Sequence, residues 1–296
     1  MKFSIGILAL LNTIFINAQP NTEVYLADID QANEGILVTN LKNISEDDGY
    51  DSQPSFQSNN LVLFAGNNNG QTDIAQYNIR FDKKFWYHSG SAASQYSPQR
   101  IPGSQHVLSV HLDTTGRQRL YHHHLTTAEY KEAHPDLQIA YFVMYDEHNL
   151  VGSVLGEDDL EMVVTNLETK AVDTLFRGAG RSFHNIPGSK SVSYTLKNEE
   201  GNYDIYQLEM ETFESFFITQ LPIGVQDHIW LSDTKLLLGS GSKLYIYDLY
   251  EGGDWKEVAD LSEYKITDIT RLASSPDEKH LALVAMPAMA SSEVKQ

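Results

Sequence analysis

A chain of 296 residues with 41% hydrophobic and 21% charged side chains has enough apolar content to bury a core, which excludes a disordered polymer. Its net charge of −19, from 40 acidic against 21 basic side chains, repels phosphate backbones and anionic lipid, so nucleic acid and acidic membrane surfaces are not expected partners. Cysteine is absent, which excludes disulfides, thiolate metal sites and a lipidated N-terminal cysteine.

The first predicted element is a leader over residues 1–18. Lys2 precedes short apolar runs at 5–11 and 14–16, and Asn17-Ala18 comes before Gln19. A basic start, a short apolar middle and a small residue at the end predict a secretory signal peptide cleaved after Ala18. The apolar stretch is too short and too interrupted for a membrane anchor. Lys2 is the only charged residue of the leader, so the mature chain carries −20. The expected location is periplasmic or extracellular, with no later transmembrane segment. A single folded domain is expected over 19–287, followed by a flexible tail over 288–296.

After the leader one short β-prone pattern recurs: TEVYLADI (22–29), TDIAQYNI (72–79), QRLYHHHL (118–125), LEMVVTNL (160–167), YDIYQLEM (203–210) and SKLYIYDL (242–249). The closing aliphatics Ile29, Ile79, Leu125, Leu167, Met210 and Leu249 are 50, 46, 42, 43 and 39 residues apart. A period near 40–45 with several strands per repeat is the signature of a propeller. Ahead of each later copy, and once more after the last, comes a strand, a polar turn and a second strand, as in QPSFQSNNLVLFAG (53–66) and DHIWLSDTKLLLG (227–239). A further apolar run follows each copy, such as KKFWYHS (83–89) and ESFFITQ (214–220), giving four strands per repeat. The segment 125–137 is irregular enough to hold a short insertion. The mature chain opens on the third and fourth strands of a repeat and stops after a first and second. The expected fold is therefore all-β: a six-bladed β-propeller of four-stranded antiparallel blades, closed by N-terminal strands completing the last blade.

The turns TRLASSPDEKH (270–280) and QPSFQSNN (53–60), with NGQTDIAQYNI (69–79), resemble the TolB-like, WD40-like PD40 repeat, in which a PSFSPDGK-like turn leads to a TDIYLMDL-like strand. The resemblance covers about 22–286. It implies a periplasmic protein-binding module, as TolB-like proteins contact envelope partners. The extra N-terminal domain of TolB is not seen here. Related propellers also precede the catalytic domain of prolyl-oligopeptidase-type peptidases, but no Gly-x-Ser-x-Gly elbow occurs, and after the sixth repeat there is no room before Gln296 for such a domain.

Few local motifs carry chemistry. In His122-His123-His124, strand alternation puts His122 and His124 on one face and His123 on the other. Two imidazoles need a third ligand to hold a metal, so a solvated strand face is expected. The acidic runs Glu46-Asp47-Asp48 and Glu157-Asp158-Asp159 are compatible with calcium but are read as loop charge. Tyr25, Tyr77, Phe85, Trp86, Tyr121, Tyr206, Phe216, Tyr245 and Tyr247 are expected to fill the space between blades.

In a propeller the innermost strands line an axial channel. The side chains expected there, as candidate ligand-binding residues, are Gln53, Arg100, His184, Asn185, Asp227, His228, Asp268 and Arg271, with Ser55 and Gln99 beside them. The function expected is a non-catalytic protein-binding or scaffold module of the envelope, or a secreted one, without a cofactor. The alternatives are capture of a small ligand at the channel mouth and a metal-assisted hydrolase or lactonase. The latter would place a divalent cation such as calcium near Asp227, Asn185 and Asp268.

Overall fold

The computed structural model describes residues 21–32, 35–87, 91–104, 106–124, 127 and 129–288. The leader, the tail beyond 288 and Leu125 lie outside them. Among the described residues, twenty-four strands form six antiparallel four-stranded sheets arranged as blades around an axis. Blade 1 contains β3 (Ser52–Ser58), β4 (Leu61–Asn68), β5 (Gln71–Asn78) and β6 (Lys83–Tyr87). Blade 2 contains β7 (Ser94–Arg100), β8 (His106–Leu112), β9 (Gln118–His124) and β10 (Tyr130–His134). Blade 3 contains β11 (Ile139–Met144), β12 (Asn149–Leu155), β13 (Leu160–Asn166) and β14 (Val172–Arg177). Blade 4 contains β15 (Ala179–Asn185), β16 (Ser191–Lys197), β17 (Tyr203–Glu209) and β18 (Ser215–Gln220). Blade 5 contains β19 (Ile229–Trp230), β20 (Lys235–Ser240), β21 (Lys243–Asp248) and β22 (Lys256–Asp260). In blade 6, β23 (Ile266–Ser274) and β24 (His280–Pro287) share a sheet with β1 (Glu23–Ala32) and β2 (Gly35–Asn43), in the order β2-β1-β24-β23. β1 pairs with β24 from Glu23 opposite Ala285 to Asp28 opposite His280. Among the described residues no helix is long and apolar enough to cross a membrane.

The second strand of each blade is packed by neighbours on both faces, so it needs a continuous apolar run rather than alternation. LVLFA in β4 and LALVA in β24 are buried at nearly every position. The third strands carry smaller and polar residues between buried ones, as in β5, where Thr72, Ile74, Ala75 and Tyr77 are buried. Asn69 and Gly70 both adopt positive φ (55° and 91°) between β4 and β5, the backbone that a two-residue hairpin with the right twist requires. The irregular segment near 130 holds β10, the fourth strand of blade 2.

Six apolar clusters fill the six gaps between adjacent blades. The largest joins blades 5 and 6 through Ile229, Leu237, Leu244, Ile269, Leu281 and Leu283. The smallest, between blades 1 and 2, has only Leu63, Ile74 and Val107, with Tyr87 against it. Tyr25 and Tyr77 belong to this core, with 9% and 5% exposure. Phe85 and Phe216, expected between blades, are instead 52% and 50% exposed. They lie on β6 and β18, the outermost strands, where no further strand covers the outer face.

Candidate functional site in the axial channel

The innermost strands surround the axis without pairing with one another, so their backbone groups need partners from side chains. Those bonds lace neighbouring blades together. The Ser97 amide donates to Gln53 Oε1 at 2.8 Å, and Gln99 Nε2 donates to the Phe142 carbonyl at 2.5 Å. Asn185 Nδ2 donates to the Met144 carbonyl at 2.8 Å and Arg100 Nη1 to the Gln57 carbonyl at 3.1 Å. Ser55 Oγ donates to the Pro98 carbonyl. Several side chains placed at the channel by sequence reasoning thus bind the neighbouring blade.

Bulges shape the narrow part of the channel. Inner-strand register shifts occur between Ser52 and Ser55, Tyr96 and Gln99, Ala179 and Phe183, and Thr267 and Arg271. Gln53, Ser97 and Asp268, at three of these bulges, have φ of 58°, 50° and 49°, a left-handed backbone that costs a non-glycine residue on the order of 1 kcal/mol. Gln53, Ser97, Tyr141, Arg181, Asp227 and Arg271 line one small cavity, with Gln53, Ser97 and Arg181 lying within these bulges. This cavity shares Pro54, Ser55, Gln99, Phe183, His184 and Leu272 with a wider mouth of about 470 Å³. Arg100, Asn185, Pro102, Pro187, Met144 and Trp230 line that mouth.

Charge in the narrow cavity centres on Asp227, whose side chain is 12% exposed. Arg181 Nε donates to Asp227 Oδ2 at 2.6 Å, and Arg271 Nη1 lies 3.4 Å from Oδ1. Arg181 Nη2 also donates to the Thr270 carbonyl at 3.2 Å. The Arg271 guanidinium faces the Tyr141 ring, 5.4 Å from its centroid. Burial is the largest influence and works against its charge, but the Asp227 carboxylate together with Tyr50 and Tyr141 offsets it, and the pKa is raised.

A neutral hydrogen-bonded chain leads from the cavity into the blades. Ser182 Oγ sits 3.1 Å from His184 Nε2 and 3.2 Å from His228 Nδ1, and also accepts from the His228 amide. His228 Nε2 meets Ser193 Oγ at 2.9 Å, which accepts from Trp230 Nε1. Burial lowers the His184 pKa to about 4 and that of His228 well below its ordinary value. At 2% exposure and with these partners, Ser182 positions the two rings rather than facing a ligand.

Of the eight sequence-predicted residues, Gln53, His184, Asp227 and Arg271 line the narrow cavity, and Arg100 and Asn185 join His184 at the wide mouth. His228 lies behind them, 1% exposed. Asp268 is exposed at its bulge and lines neither cavity. Asp227, Asn185 and Asp268 therefore do not converge, and among the described residues no group of three acidic or histidine side chains is placed to hold a metal ion. Arg181, Ser182 and Tyr141 were missed. For Arg181 and Ser182 the signal was positional, three and two residues before His184 on the same inner strand, β15.

No protein-family model and no curated protein matches the chain. Solved structures do. TolB from Acinetobacter baumannii superposes with a TM-score of 0.57 at 10% identity, over 90% of this chain and 64% of that one. The chain folds as a TolB-like six-bladed β-propeller. A protein assigned as TolB from Agrobacterium tumefaciens gives a TM-score of 0.66 at 12% identity, over 90% and 99% of the two chains. A gluconolactonase from Xanthomonas campestris gives 0.63 at 8% identity, over 91% and 98%. This chain thus spans less than two thirds of the Acinetobacter TolB, and one fold serves proteins with different tasks.

The histidine run of this TolB-like propeller lies away from the channel. Alternation on β9 buries His123 completely and leaves His122 and His124 half-buried. His123 Nε2 meets His111 Nε2 at 3.0 Å and Ser109 Oγ at 2.6 Å, filling the blade 1–2 gap where the apolar cluster is smallest. Tyr87 closes on the His123 ring edge-on at 5.6 Å. Burial lowers the His111 pKa to about 4 and that of His123 to about 3. In the acidic runs, Asp47 pairs with Lys84, and Asp159 lies 3.6 Å from Lys197.

Proposed function

We propose that this chain is an exported, non-catalytic propeller that binds a protein partner of the bacterial envelope at the wide mouth of its axial channel. The observation that carries this reading is the composition of that mouth. It joins apolar side chains (Phe56, Val143, Met144, Trp230) to amide and hydroxyl groups (Gln99, Asn185, Ser55), with Arg100 among them. Mixed apolar and polar lining of this kind suits recognition of a chain segment. The single carboxylate of the channel lining, Asp227, is engaged on both oxygens by arginines, which favours recognition over a hydrolase that needs a free acid–base pair.

The test is capture from envelope extract by the tagged protein and by Arg100→Glu, with bound proteins quantified by mass spectrometry. Arg100 is exposed, so its reversal should leave the fold intact. One partner recovered near equal stoichiometry by the parent and lost in the variant supports the reading. Equal recovery by both moves the binding surface elsewhere.

A further inference from the structure

The charge of the channel lining is opposite to that of the chain. Three of the seven arginines in the sequence, Arg100, Arg181 and Arg271, line the channel. Among the described acidic residues, Asp227 alone does so. With His184 neutral near pH 7, the lining holds two more positive than negative charges in a chain of net −19. Arg100 is exposed at the wide mouth, so the narrow cavity, with Arg181 and Arg271 against Asp227, holds an excess of one positive charge, and a sheltered excess of one sign is costly unless a counter-charge joins it. Asp227 has two oxygens for two guanidinium groups, each with five N–H donors. Arg181 takes the close bonds, whereas Arg271 is held at 3.4 Å, too long for a strong charge-assisted bond. Arg271 is therefore the less closely paired of the two with Asp227, with Tyr141 covering one face of its guanidinium and Tyr50 also near it. Ser55, Gln99 and His184 continue the lining from this cavity into the wide mouth, where Phe56, Met144 and Trp230 add apolar surface.

We propose that the axial channel binds a carboxylate-bearing ligand, with the carboxylate at Arg271 and Arg181 and an uncharged, partly apolar body in the wide mouth. This rests on the channel mouth being the binding surface. A free C-terminal end of a partner protein and a free small carboxylic acid share this chemistry. The outward order of the lining, cation first and amide and apolar surface after, matches the order of groups in a chain terminus read backwards from its carboxylate.

The experiment is calorimetric titration of the purified protein with acetyl-Ala-Ala-Leu as the free acid, the same peptide as its C-terminal amide, and N-acetyl-leucine. The acid is expected to bind at least tenfold more tightly than the amide. Arg271→Gln should bring the acid to the affinity of the amide. Asp227→Asn, nearly isosteric, removes the internal competitor and should tighten acid binding several-fold, which a purely structural role for Asp227 would not do. It keeps the test decisive should Arg271→Gln fail to fold. A peptide acid tighter than N-acetyl-leucine identifies a protein C-terminus as the source, and equal affinities identify a small acid. Equal binding of acid and amide, or weaker acid binding by Asp227→Asn, overturns the inference while leaving the protein-binding reading standing. Binding of neither peptide, together with partner capture unaffected by Arg100→Glu, overturns both.

Discussion

Acid should weaken this protein through the gap between blades 1 and 2, and His111 offers the clearest measure of it. The ring is 3% exposed, stacks on Tyr121 at a centroid distance of 4.2 Å, and touches His123 through Nε2. Burial holds its pKa at about 4, below the unfolded value near 6.5. Because the folded pKa is depressed, the unfolded chain takes up the proton first as pH falls. The contribution to stability is complete above 6.5 and is lost progressively toward pH 4. Between pH 7 and pH 5 the share belonging to His111 is about 2 kcal/mol. His111→Phe keeps a flat ring on Tyr121, and His123 retains Ser109 at 2.6 Å, so the variant should lose only about 1 kcal/mol at pH 7. Urea unfolding of both proteins at pH 7 and pH 5 reads the difference. His122, His184 and His228 are also depressed and weaken both proteins alike, and so does His123 through its burial, while the smaller part of its depression that comes from His111 is lost in the variant and adds to the difference. Asp51, raised by burial to about 7, acts in the opposite sense, losing its contribution as pH rises from 3.8 toward 7, and it too cancels in the comparison. The parent should lose about 2 kcal/mol more than His111→Phe on going to pH 5. An equal loss in both proteins would refute the claim that burial keeps this ring neutral.

Three further outcomes follow from packing. Leu283→Ala, fully buried in β24 opposite Tyr25 and Leu272, should cost about 2–5 kcal/mol in urea unfolding, because it opens a cavity where the two ends of the described chain share a sheet. Gly239→Ala would set a Cβ 2.2 Å from Ile269 Cγ2 across the blade 5–6 gap, and should lower stability by about 1–3 kcal/mol. Phe216→Ser, on the exposed rim, should change stability by no more than about 0.5 kcal/mol in the same assay; a large loss would return Phe216 to the core.

The blades were legible because strand role writes itself into composition. A second strand buried on both faces reads as an apolar run such as LVLFA or LALVA, and a third strand mixes polar residues with buried ones, so the repeat survived even where the turns diverged. Alternation also placed His123 opposite His122 and His124. The channel was less legible because bulges break the count of two along the inner strands. The shift between Thr267 and Arg271 leaves Asp268 exposed and brings Arg271 to the cavity. The shift between Ala179 and Phe183 brings Arg181 onto Asp227, 46 residues away. Neither displacement has a motif, since a bulge at Gln53 or Ser97 uses ordinary polar residues rather than glycine. The outer aromatics failed for a different reason: the period identifies the fourth strand, but its apolar content does not say which side chains turn outward, as Phe85 and Phe216 do.

The most direct measurement is site-specific photocrosslinking in intact cells, with a photoreactive residue at Asn185 in the wide mouth or at Phe216 on the rim of the same blade. A single protein adduct from position 185, and none from 216, is the predicted result. An adduct from 216 alone would contradict the assignment of binding to the channel mouth.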